Sequence, residues 1–197
     1  MRDKWYSDNR DLIKWSVLLL LARWHHADRI LQIAFYNASE FDEVDIDGHR
    51  HRIPDEVIAH FRDIRNVSGL SKQPRISVFD LRFGDRKSYI QAVLSFLASF
   101  NQERCLVFLD PDTGLEPNGR ADAKHVLNDN ARVIWDALPA GWTYVLYQHK
   151  TNRAGKPWID EKRFQFANAI GVPGKKVGIA SGPKIAKDVV FFHVSKA

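Results

Sequence analysis

Cysteine is almost absent from this 197-residue chain, where Cys105 stands alone. One thiol excludes an internal disulfide framework and any cysteine-rich metal site, and it suits a reducing compartment. Long hydrophobic runs are also lacking. The stretch from Val17 to Ala22 is far shorter than the roughly 20 apolar residues a bilayer span needs. No basic-then-apolar leader opens the sequence, so a cytoplasmic protein with no membrane partner is expected. Repeats, low-complexity tracts and linker-like segments are missing too. One domain over residues 1–197 is therefore expected, with an insertion at about residues 40–72. Gly155 and Gly174, although next to lysines or near them, lack the spacing of a phosphate-cradling loop.

What is present is an ordinary globular balance, 45% hydrophobic and 27% charged, which is enough to build a substantial core. The net charge of +5 is unevenly spread. From Leu146 onward ten Lys or Arg face three Asp or Glu, whereas the first 145 residues hold 19 basic and 21 acidic side chains. Such asymmetry points to a polyanion, RNA or DNA, against the C-terminal part.

Apolar periodicity predicts helices over residues 11–24, 54–65, 86–100, 123–138 and 160–170. Strands are predicted over residues 29–36, 75–81, 105–109, 142–147, 176–180 and 188–194. Alternation of the two means a three-layer, Rossmann-like α/β fold with a mostly parallel sheet. The last two strands are too close for a crossover helix and should form a C-terminal antiparallel hairpin. The run Cys105-Leu106-Val107-Phe108-Leu109 is apolar throughout, which marks a central strand covered on both faces. It stops abruptly at Asp110-Pro111-Asp112-Thr113-Gly114. Ligands of open α/β sheets bind beyond the carboxyl ends of such strands, so Asp110 and Asp112 are candidate catalytic residues.

Two local patterns carry a family resemblance. Asn9 followed by Asp11-Leu12-Ile13-Lys14 on the first helix is similar to the N-x-x-D-x-L-K element of bacterial ribosomal-RNA adenine N6-methyltransferases. Leu109-Asp110-Pro111-Asp112 resembles their D-P-P-Y motif at the end of the fourth strand. The order of elements also resembles class I S-adenosylmethionine (SAM)-dependent methyltransferases. The resemblance implies methylation of an amino group on a nucleic acid, with SAM as cofactor. In that reading Asp110 orients the amine, Asp11, Lys14, Tyr36, Asn37 and Asp80 bind the cofactor, and His149, Lys150, Arg153, Lys156 and Trp158 bind the substrate. The asparagine of the helix element is shifted by one position, and the sequence departs from the pattern in three further places. Ala34-Phe35-Tyr36-Asn37-Ala38-Ser39 contains no glycine, Asp112 replaces the second proline, and Thr113 stands at the aromatic position.

A second chemistry fits the same residues. Pro111-Asp112 and Gln148-His149-Lys150 resemble the PD-(D/E)xK nuclease signature, with Gln148 in the variable acidic position. There Asp110, Asp112 and His149 would hold Mg²⁺ against the scissile phosphate, and Lys150 would help activate water. A third reading is a methyltransferase-like module that binds nucleic acid or protein without catalysis.

Overall fold

The computed structural model describes residues 9–37, 43–57, 63–117, 122–150 and 157–197. Helix α1 (Asn9–Trp24) leads into β1 (Arg29–Ile33). A hairpin follows, formed by β2 (Glu43–Ile46) and β3 (His49–Arg52). Its turn places Asp47 and Gly48 at φ 53° and 82°, the left-handed pair that twists two strands together. A 3-10 turn (Ile64–Gly69) precedes β4 (Arg75–Phe79), α2 (Arg86–Ala98) and β5 (Cys105–Leu109). Then come β6 (Gly114–Leu115), β7 (His125–Val126), α3 (Asn128–Ala137), β8 (Thr143–His149) and α4 (Ile159–Ile170). A short 3-10 turn (Gly174–Lys176) leads to β9 (Gly178–Gly182) and β10 (Ala186–Ser195).

Six strands form one sheet in the order β4-β1-β5-β8-β10-β9. The first four run parallel, and β10 lies antiparallel between β8 and β9. The fold is thus α/β with a mostly parallel mixed sheet, and the two terminal strands form the expected antiparallel hairpin. Strand β5 sits between β1 and β8 with all five side chains buried. Its alternate residues serve two cores. Cys105, Val107 and Leu109 pack towards α2, α3 and α4, whereas Leu106 and Phe108 pack towards α1. That two-sided burial explains a run with no polar residue in it. Cys105 is fully buried, which pushes its thiol up to about 12 and makes it a core residue rather than a nucleophile.

Three boundaries differ from the sequence reading by more than about two residues. The first strand ends at Ile33, because Phe35 turns left-handed at φ 44°. The helix predicted from residue 123 starts at Asn128, since His125 and Val126 pair instead with Gly114 and Leu115. Part of the helix predicted over residues 54–65 lies outside the described residues, and a 3-10 turn occupies Ile64–Gly69.

Candidate functional site

Because β1, β5 and β8 are parallel, their carboxyl ends share one edge of the sheet. Asp110 begins there, directly after β5, with its backbone N–H donating to Ile33 O at 3.0 Å. Its side chain is 2% exposed. Oδ2 accepts from Lys14 Nζ at 3.1 Å and from Gln32 Nε2 at 2.7 Å. Lys14, one helical turn beyond Asp11 on α1, also donates to Asp11 Oδ1 at 2.8 Å. One ammonium therefore bridges two carboxylates in the interior, below the ring of Tyr147 at 5.4 Å. Burial alone would lower the pKa of Lys14. Asp110 and then Asp11 more than offset it and carry Lys14 above its ordinary value.

The cluster reaches the surface through β8. Tyr147 and His149 lie on one face of that strand, and Tyr147 Oη shares a hydrogen bond with His149 Nε2 at 2.8 Å. His149 Nδ1 lies 3.9 Å from Asp188, which Arg10 holds at 2.7 Å. Burial, then Arg10 and Lys14, lower the pKa of His149 against the pull of Asp188 and Asp112, so it is neutral at pH 7. Asp112 is half-buried and within the electrostatic reach of His149.

On the β1 side, the Phe35 N–H donates to Tyr89 Oη at 2.9 Å, and the Phe35 ring packs against Phe83 and Tyr89. Burial raises the Tyr89 pKa, and Asp110 adds to the rise, which places the strand-end acid near this turn. Tyr36 pairs with Arg82, and Asn37 Nδ2 donates to Phe35 O at 3.0 Å. Asp80 is exposed at the tip of β4, 3.8 Å from Arg65.

The structure thus joins Asp11, Lys14 and Asp110 directly. It sets Asp112 and His149 beside them, and Tyr36, Asn37, Asp80 and Lys150 along the same edge. Two roles are corrected. Trp158, expected in a base-stacking loop, is 8% exposed and belongs to the core beneath α4, where its apolar area is better buried. Gln148 is not open to a cation. Its Oε1 accepts from Leu115 N at 2.9 Å, while Nε2 donates to His149 O at 2.8 Å and Thr113 O at 3.3 Å. Arg153 and Lys156 lie outside the described residues. Among the described residues no three His, Cys, Asp or Glu side chains converge as a metal site would require.

Gln32, Arg10, Tyr147 and Asp188 were not among the sequence candidates. Gln32 left a signal: it is the one amide inside the otherwise apolar Ile30-Leu31-Gln32-Ile33, and a buried amide needs a partner. The sequence matches no known family model and no curated protein. Among the described residues no helix is long and apolar enough to cross a membrane.

One pH effect follows from the histidines. His25 and His193 lie 6.2 Å apart, and both pKa values are lowered, chiefly by burial. His193 is lowered further by His25. With His149, all three bind protons more readily unfolded than folded. Their contribution is present above the unfolded value of about 6.5 and is lost as pH falls through the lower folded values. The melting temperature should drop between pH 7 and pH 5, and His149→Gln with His193→Gln should flatten that slope. An unchanged slope in the double variant would refute the assignment.

Proposed function

We propose that this protein is a methyltransferase-like enzyme that moves a methyl group from SAM to an amino group of a nucleic acid. The observation that carries the reading is the 3.1 Å pair between Lys14 and Asp110. It brings together, on one sheet edge, the two sequence elements on which the resemblance rests. The helix before β1, the mostly parallel sheet and the closing antiparallel hairpin agree with the same architecture.

Three features support SAM as the cofactor in this reading. Left-handed backbone at Phe35 supplies the turn that a glycine would otherwise make at the end of β1. Strand order reverses between β1 and β5, and nucleotide ligands of open sheets bind at such switch points. Asp80, exposed at the neighbouring strand tip, suits the hydroxyls of a ribose, and Tyr36 and Asn37 line the same edge. Bound SAM would supply an electrophilic methyl group. The protein's own part is to orient the amine and favour the positive charge that grows on its nitrogen. Asp110, expected to orient the amine, is buried and already holds Lys14 and Gln32, so in this proposal it fixes the loop and the role of orienting the amine passes to the half-buried Asp112. Lys150 grips phosphate.

Calorimetry with SAM, followed by transfer of a labelled methyl group into RNA and DNA, tests this. Asp112→Asn should lose about 100-fold in transfer while SAM affinity stays unchanged. Absence of both SAM binding and methyl incorporation in the wild type would overturn the reading.

A further inference from the structure

The sheet edge changes character on passing outward from the candidate site. At the tip of β8, Lys150 is exposed, and its backbone N–H donates to Asp188 O at 2.8 Å, which sets it beside β10. Lys187 and Lys184, both exposed, lie at the start of β10 and in the turn after β9. That turn is closed by Ile185 N donating to Gly182 O at 2.8 Å. It rests on α1, since a Cβ at Gly182 would meet the Ile13 side chain. Asp188, the one acid among these tips, is answered by Arg10 at 2.7 Å. Neighbouring strands stand about 4.8 Å apart, so three exposed ammonium groups are set on strand tips that span about 10 Å. They begin next to His149 and continue away from it.

We infer that the β9–β10 turn, through Lys184 and Lys187 together with Lys150, is the surface that grips the phosphodiester backbone of a single-stranded nucleic acid leading into the candidate site. The inference rests on the proposed nucleic-acid substrate and names the surface that would hold it. A flexible ammonium on a short turn suits phosphate as a point charge and carries no base preference, so this surface gives affinity and register. Its near end, at Lys150, adjoins His149, and that position favours a strand that must present a base at the site over an acidic protein that need not.

The test is fluorescence anisotropy of labelled 20-nucleotide single-stranded RNA and DNA across a salt series. Lys184→Gln with Lys187→Gln is compared with Lys175→Gln with Lys176→Gln. The second pair makes the same charge change on exposed lysines at the opposite end of β9. The first pair should weaken binding roughly tenfold and make the salt slope shallower by about 1.4, and the second should do much less. Melting temperatures of both should match the wild type. Equal weakening by the two pairs would mean that only net charge is felt and would overturn the inference. Unchanged binding by the first pair would overturn it while leaving the proposed function intact. A wild type that binds neither probe would overturn both this surface and the proposed substrate class, and SAM calorimetry would then judge the cofactor alone.

Discussion

Replacing Lys14 with methionine should lower the unfolding free energy by about 3–5 kcal/mol, because it leaves two buried carboxylates without their shared cation. Lys14, Asp11 and Asp110 have side chains only 6%, 8% and 2% exposed, so solvent screens little of the loss. Methionine keeps most of the side chain's volume, so packing changes are small and the deficit reports the charge. Lys14→Met with Asp110→Asn should recover much of it, since one remaining carboxylate costs less than two facing each other. The wild-type contribution should not fade in mild alkali. The folded pKa of Lys14 is raised, so its stabilisation is present in full below the unfolded value of 10.5 and is lost only as pH climbs through the higher folded value. Urea unfolding at pH 7 and pH 9 should therefore show the same gap between wild type and variant. A gap below about 1 kcal/mol at pH 7 would mean that the ammonium is replaceable by solvent. It would also remove the physical basis for treating the α1 motif and the β5 end as one site.

The parts of this fold written in local pattern were legible from the sequence, and the parts written in tertiary contact were not. Cys105–Leu109 announced itself as central because a strand covered on both faces has no use for a polar residue. The terminal hairpin was legible because so few residues separate its strands that they cannot hold a crossover helix. At the site, the acids beyond β5 followed from strand direction alone, and Lys14 followed from a motif. Gln148 and Trp158 were misread for a common reason. Each lies in a polar or basic neighbourhood, and composition does not tell which way a side chain points. Gln148 turned inward to satisfy the backbone of Thr113, Leu115 and His149, and Trp158 turned inward to bury its indole. Phe35 is the harder case. A bulky residue at φ 44° costs on the order of 1–3 kcal/mol, and nothing local predicts it. The cost is met by contacts from far along the chain: the Tyr89 hydroxyl on its N–H, and the rings of Phe83 and Tyr89 against its own. The same holds for His125–Val126, where pairing with Gly114–Leu115 overrides a helical pattern.

Gly114→Ala should destabilise the protein by about 2–4 kcal/mol and displace the loop that carries Asp112. Gly114 has φ +123°, a conformation that L side chains rarely adopt. A Cβ there would come within 2.3–2.5 Å of the Gln148 Oε1, Cδ and Nε2 atoms. A glutamine in solvent would swing aside, but Gln148 is fully buried and ties three backbone groups, so moving it strands polar atoms in the interior. Those ties run between the Asp110–Leu115 loop and the end of β8, and His149 N donating to Thr113 O at 2.9 Å reinforces them. They set the distance between Asp112 and His149, so methyl transfer in the proposed mechanism should fall with stability. Gln148→Ala removes the clash partner and the clamp together. The double variant should therefore be less unstable than the sum of the two single changes, because the second substitution removes what the first collided with. What remains in the double variant measures the backbone strain at position 114. Strict additivity in chemical denaturation would show that Gln148 is not what fills the space beside Gly114, and that the loop holding Asp112 is fixed by other contacts.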